Sequence, residues 1–457
     1  MAKKSSAQSV AAERATVETS TKDLKRVLSF WDLMGNAVGQ VIGAGIMSLT
    51  GAAIAMTGRA VPISFLLSAV LVLLSSIPTI IMSGVVRMRG GTYTMTALLA
   101  GKTFAGMSII FFIIKNVTIA MYALSFADYL KAFFPTWNRS IVAAVILTFF
   151  FILNLYGIDK ASKFQNIIVL MMCAALALFT VYGLPKIQPS YFDPDGFMSE
   201  GIIGMLSAAS LLSVATGGAA NIANLSGEAK NATRDIPLAI IVSTIGVAGL
   251  YGLMSIVAAG VLPISEVAGQ PLTNVARTIL PYGLYVFFII GGAMFALITT
   301  LNAQLQWSTK PVMQACVDGW FPKGLAKLNK QKTPYLLLSF MYIVGMLPIV
   351  LNFDISVIGN IAVLVVSLSA IIINVAICRV PKVLPEQWEA SRYKVSTPVL
   401  WFIIILAVAA SLLNIALQLI QLPGWLMIAN GVLLVFSYVY SRLRIKSGKV
   451  DMEISYE

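Results

Sequence analysis

The sequence predicts an all-α integral membrane protein of about twelve transmembrane helices. Ten of these form two inverted five-helix units in which the first and sixth helices are broken. Three observations carry this fold class. The chain of 457 residues is 58% hydrophobic and only 11% charged, with a mean hydropathy of +0.87, whereas soluble domains are about 25% charged. Apolar stretches of about 20 residues recur along it, the length a helix needs to cross a bilayer. Two of them are interrupted by short glycine-rich segments, Gly43-Ala44-Gly45 and Gly217-Gly218-Ala219-Ala220. In lipid, unwound backbone survives only where it faces protein, water or a ligand.

Residues 1–28 are polar and mixed in charge, which predicts a disordered tail, and no cleavable signal peptide precedes the first span. Spans are expected to begin near Trp31, Val61, Ala105, Ile141, Phe164 and Gly201, then near Ile236, Pro281, Thr333, Ser356, Thr397 and Pro423. The first unit covers 29–184, the second 185–380, helices eleven and twelve 381–442, and a second tail 443–457. The broken spans lie five apart, an odd number, so the second unit starts from the opposite face of the membrane. That repeat rests on the breaks and the span count, without residue-by-residue internal similarity. The longest outer loop, about 185–200, holds Pro185, Pro189 and Pro194 and should be irregular. The longest inner loop, about 309–333, is rich in Lys and contains the turn-like Asp318-Gly319-Trp320-Phe321-Pro322.

The formal net charge of +13 is a topology signal. With the N-terminus in the cytoplasm, roughly 26 Lys and Arg fall on the inner side and 5 on the outer, a strong positive-inside bias. This argues against nucleic-acid binding and places both termini in the cytoplasm, in the plasma (inner) membrane, with the lipid bilayer as surroundings and no soluble partner evident. The three cysteines, Cys173, Cys316 and Cys378, make no disulfide framework. There is no His, which removes the commonest general base and the usual zinc patterns. No catalytic residue, metal or cofactor is expected, beyond a sodium ion or proton as a candidate coupling ion.

Chemistry should reside at the breaks. Around Val41, Gly43, Ala44, Gly45 and Ile46, carbonyls end one half-helix and amides begin the next. A half-helix N-terminus offers free N–H groups and a positive dipole end, which suit a carboxylate. Close packing of helices through small residues explains Gly39 and Gly43 equally well. Around Val214, Ala215, Thr216, Gly217 and Gly218, a matching break would present carbonyls to an ammonium. Two adjacent mid-span glycines cost about 1 kcal/mol each in helix propensity. Amides for a carboxylate beside carbonyls for an ammonium would recognise an α-amino acid backbone, whatever its side chain.

Gly43-Ala44-Gly45-Ile46 resembles the glycine-rich first span of the amino acid–polyamine–organocation transporters, and Ala215-Thr216-Gly217-Gly218-Ala219-Ala220 their sixth-span turn. Glu228-Ala229-Lys230-Asn231-Ala232-Thr233-Arg234-Asp235-Ile236-Pro237 is similar to the family's E-x-K-N-P-x-R-x-I-P. Arg89-Gly90-Gly91-Thr92-Tyr93 resembles the S-G-G-x-Y ahead of span three. Leu301-Asn302, Ser308, Asp318-Gly319-Trp320-Phe321-Pro322 and Lys332-Thr333-Pro334 resemble the eighth-span end and following loop. The likeness covers about residues 30–335 by motif and the rest by span pattern. It implies a LeuT-type fold, alternating access and an amino acid held between spans one and six. Val214 stands where the family often has a Trp or Phe lid. No acidic residue stands at the sixth-span turn, where arginine and polyamine carriers often have one. A cation without counter-charge is costly in a low-dielectric pocket, so a neutral substrate is expected.

Some family members carry a fifth-span lysine in a sodium-like position. The residue here is Met172, and no Lys occurs between Phe164 and Gly183. Thr299, Thr300 and Asn302 on the eighth span offer oxygens that suit a hard cation, or that bond backbone and one another. Lys115, the one basic residue well inside a span, is a candidate for pairing with a carboxylate or backbone carbonyls or for carrying a proton. Snorkelling to the interface is the alternative. Tyr122 lies a spacing of about seven residues beyond it, near the same helix face. Gln304 joins the candidate substrate-binding residues on the eighth span. The sequence thus reads as an amino acid carrier working by exchange or facilitated movement, with sodium- or proton-coupled symport and a transporter-fold nutrient sensor as alternatives. A channel lacks a filter signature, and an enzyme lacks a His, Cys or acidic cluster.

Overall fold

The computed structural model describes residues 20–131, 133–193, 196–353, 358, 369–419 and 424–452. Among them the secondary structure is helical, with two isolated β-bridges and no strand. The longer helices are α1 (Phe30–Val41), α2 (Ala44–Thr57), α3 (Val61–Val85), α4 (Gly91–Ala100), α5 (Lys102–Lys115), α6 (Thr118–Lys131), α7 (Arg139–Leu155) and α8 (Ile158–Gly183). They continue as α9 (Gly201–Thr216), α10 (Ala232–Gly260), α11 (Thr273–Ile279), α12 (Tyr282–Phe287), α13 (Phe295–Val317), α14 (Tyr335–Val350), α15 (Thr397–Leu419) and α16 (Gly424–Lys446).

Six runs are long and apolar enough to cross a bilayer, and the bent pair within 30–57 makes seven. Four further apolar helices are shorter. The difference from about twelve expected spans has local causes. A break ends α9 after 16 residues, and α14 stops at 16 residues, just before Asn352 at φ +53°. The span expected from Ser356 begins outside the described residues, as does Pro423, although α16 follows directly from Gly424. The predicted tail at 1–28 is described only from Ser20.

Ser29 and Asp32 start α1 with a reciprocal capping box, in which Ser29 N–H donates to Asp32 Oδ2 at 2.9 Å. Asn138 caps α7 by accepting from the Ser140 and Ile141 amides. Large apolar side chains point outward on the peripheral helices, among them Leu170, Ile203, Phe402 and Ile428. Exposed apolar side chains of this size suit lipid contact. At the centre, every residue of α13 from Ala296 to Cys316 is buried. It packs on α1, α6, α7 and α8 and so forms the inner post of the bundle.

The third span, 102–131, is one run with a turn between α5 and α6 at Asn116–Val117. Asn116 Nδ2 turns back to the Phe112 carbonyl at 2.8 Å, a local bond that competes with the helix ladder. Residues 185–200 are not wholly irregular, since 3-10 turns form at Leu184–Lys186 and Pro189–Phe192. Each has Pro in its first turn, where a missing N–H costs nothing, and Tyr191 anchors the second by donating to the Arg59 carbonyl at 2.8 Å.

Candidate functional site

The first break falls at Ile42–Gly43. Ile42 is extended (φ −77°, ψ 95°) and Gly43 is extended ahead of α2. The break thus begins one residue before the expected Gly43–Gly45, and Ala44 and Gly45 are helical, forming with Ile46 the first turn of α2. Their amides are helix N-terminal, without a side-chain cap, the arrangement that attracts an anion. The second break falls at Gly217–Gly218, followed by the 3-10 turn Ala219–Leu225. Gly218 sits at φ +115°, and a Cβ there would lie 3.0 Å from the Gln40 carbonyl; both conditions require glycine.

The fold brings the two breaks together. A Cβ on Gly45 would stand 2.5 Å from Ala215 Cβ, so α2 and α9 touch through backbone at this point. Thr216 is fully buried and its hydroxyl is committed to the Leu212 carbonyl at 3.1 Å and to Ser68 at 3.1 Å. Its side chain faces α3, which leaves only its backbone for a ligand. The Val41 carbonyl has the Tyr251 hydroxyl at 3.5 Å, and Tyr251 packs edge-on against Phe65. Tyr251 carries no sequence signal, being one aromatic in an apolar span. The side chains of Ala44 and Val214 lie outside the described part of the structure, and with them the lid position.

Thr300 stands beside the first break. Its hydroxyl lies 2.8 Å from the Gly39 carbonyl, 3.3 Å from Ile42 and 2.9 Å from Ala296. One hydroxyl proton faces three carbonyl oxygens, so the group is rich in acceptors. Thr299 also reaches the Ala296 carbonyl at 2.9 Å and contacts Met172 Sδ at 3.8 Å. Met172 thus faces α13 from α8. Asn302 is elsewhere: it bonds Gln165, Asn154 and the Ala161 carbonyl in a buried amide network. Gln165 in turn donates to the Thr299 carbonyl at 3.0 Å.

Lys115 ends α5 at the turn in the third span. Its ammonium donates to Asn221 Oδ1 at 2.9 Å and stands 5.1 Å from the centroid of the Trp307 ring. Trp307 donates to Gln40 Oε1 at 2.9 Å, so this contact chain reaches both broken spans. The same turn is held by Gln304, whose amide donates to Asn116 Oδ1 at 3.0 Å and to Thr118 at 2.9 Å. Tyr122, seven residues beyond Lys115, lies past the turn at Asn116–Val117. Tyr122 is half-buried in core packing. A cavity of about 250 Å³ lies beside the second break, lined by Lys115, Gly218, Ala220, Asn221, Tyr93 and hydroxyl residues of α3 and α4. Tyr122 and Gln304 do not line it.

Below this cavity both ends of the described chain meet the end of α13. Thr21 donates to Gln314 Oε1 at 2.6 Å, Gln314 to Asp318 at 2.9 Å, and Tyr93 to Asp318 at 2.7 Å. Arg444 donates to the Gly319 carbonyl at 2.9 Å and the Asp451 amide to the Asp318 carbonyl at 3.0 Å. Glu228 and Lys310 form a buried ion pair at 2.9 Å. Leu28 and Lys230 bond backbone to backbone around it.

Broken helices meeting inside an all-helical, lipid-facing bundle are the construction of a membrane carrier. The chain belongs to the amino acid permease family, whose model matches residues 28–439. It is 27% identical to the branched-chain amino acid permease BcaP of Bacillus subtilis over 93% of this chain and 95% of that one. It is 26% identical to the methylthioribose transporter of the same organism over 71% and 74%. An uncharacterized protein of Methanocaldococcus jannaschii is 29% identical over 65% and 70%. The named relatives are permeases and transporters, not enzymes.

Proposed function

We propose that the protein carries an α-amino acid with a neutral side chain across the plasma membrane by alternating access, through exchange or facilitated movement. The meeting of the two backbone breaks supports this reading above all: Gly45 against Ala215 and Gly218 against Gln40. The substrate carboxylate would sit on the first-turn amides of α2 at Ala44, Gly45 and Ile46. Its ammonium would meet carbonyls near Val41 and Val214–Gly217. Both ends of the chain would face the cytoplasm, where the basic residues concentrate. The experiment is counterflow by purified protein in proteoliposomes against a panel of amino acids, with and without sodium and a pH gradient. Trans-stimulated uptake of neutral amino acids is expected. Uptake of none, with methylthioribose accumulated instead, would sink the reading.

A second reading, sodium-coupled symport, draws on the acceptor-rich group at Thr300. Three carbonyls share one hydroxyl proton there, and a hard cation would balance them. Under this reading an inward sodium gradient accelerates uptake, and Thr300→Val removes the acceleration. A sodium-independent exchanger ignores the gradient and needs amino acid inside the vesicle.

A further inference from the structure

Among the described residues lining the cavity beside the second break, Lys115 is the one that is charged. Its partners are an amide oxygen and a ring face, Asn221 at 2.9 Å and Trp307 at 5.1 Å. Among the described residues no carboxylate stands within ion-pair distance of it. An ammonium carries three protons, and Asn221 takes one. Ending α5, Lys115 also complements the carbonyls of that helix terminus. That accounts for its tolerance at this depth, but not for its reach to the residue three past Gly218. The cavity is close to the lower end of ligand pockets, about 300–1,000 Å³. Its remaining polar lining is neutral, including Ser75, Thr79, Thr92 and Asn374. Hydroxyls and amides can orient a ligand, yet none of them offsets a positive charge. A part-buried cation whose partners are all neutral lacks a counter-charge, and a carboxylate arriving from the breaks is the group that would supply it.

We propose that Lys115 is a charge filter on the substrate's path: its ammonium holds the carboxylate of an amino acid in this cavity and bars amino acids with cationic side chains. The filter rests on the amino acid reading above. It acts beside the second break, whereas the amides of α2 act at the first, so the two are separable. The test measures binding to the purified full-length protein, so a variant that binds but cannot cycle still reports. Dissociation constants are measured for leucine, lysine and arginine in the wild type and in Lys115→Arg, Lys115→Met and Lys115→Glu. The wild type and Lys115→Arg should prefer leucine to the cationic amino acids. In Lys115→Met and Lys115→Glu that preference should fall by at least about tenfold, further in Glu than in Met. An unchanged preference in both neutral and acidic variants overturns the filter, as does a wild type that binds arginine as tightly as leucine. If Lys115→Met and Lys115→Glu do not fold, loss of discrimination in the charge-retaining Lys115→Arg overturns it. A wild type that binds neutral and cationic amino acids equally leaves amino acid binding standing; one that binds none of them removes that reading and the filter together.

Discussion

Gly43 and Gly45 stand two residues apart and serve different purposes. At Gly45 the α9 backbone is so close that a Cβ would stand 2.8 Å from Ala215 Cα. Gly43 faces a softer neighbour, the Thr300 hydroxyl at 3.1 Å from an added Cβ. Gly45→Leu should therefore push α2 off α9 and lower the melting temperature of purified protein. Overpacking of this kind costs about 1–3 kcal/mol or more. Gly43→Ala should melt near the wild type while slowing transport, because its methyl group would meet the Thr300 hydroxyl and not a helix backbone. Equal melting for the two variants would contradict this division. Residue by residue, the breaks were legible because two glycine-rich interruptions lie five spans apart, although packing through small residues explains the first equally well taken alone. Tyr251 and Asn221 were not legible, since an aromatic or an amide in a span acquires meaning only from what folds opposite it.

At the scale of the element, the third span shows what a hydropathy pattern conceals. Asn116 and Thr118 read as two polar residues in an apolar stretch, yet they hold a turn in it because Gln304, 188 residues from Asn116 in sequence, binds both side chains. No local pattern contains that partner. Replacing Gln304 by Leu would strand the buried Asn116 carbonyl oxygen, at a cost of about 1–3 kcal/mol. The expected result is a lower melting temperature and faster hydrogen exchange confined to 112–120. Protection changes spread evenly over the protein would argue against a local pin. The approach to α13 is also irregular: residues Phe288–Met294 form a π-helical segment, with Phe288 stacked on Phe179 at 4.9 Å. Such segments often mark functional sites, and apolar composition alone cannot distinguish them from α-helix. The helical, membrane-spanning character was readable from length and hydrophobicity, six or seven of the expected spans standing long enough among the described residues, and interruptions were readable only where glycine announced them.

For the molecule as a whole, the buried pair of Glu228 and Lys310 joins the segment after the second break to the central post. Burial pushes the Glu228 carboxyl above its ordinary range while Lys310 pulls it down, and Glu228 Oε2 has no hydrogen-bond partner among the described residues. Glu228→Gln or Lys310→Met alone leaves one partner uncompensated, a loss of about 3–5 kcal/mol. Glu228→Met with Lys310→Met should recover much of it, read as melting temperature in detergent. A double variant no more stable than the worse single one would show that the pair is not the source of the loss. The end of α13 also carries a requirement of timing. Thr21 and Gln314 are 293 residues apart in sequence, and Asp451 closes on the same turn from the far end of the chain. During synthesis the earliest described segment must wait for α13 to emerge, and that turn must wait again for α16. The turn at the end of α13 is therefore closed only after α16 has been made, and a product stalled before α16 would lack the Arg444 and Asp451 contacts.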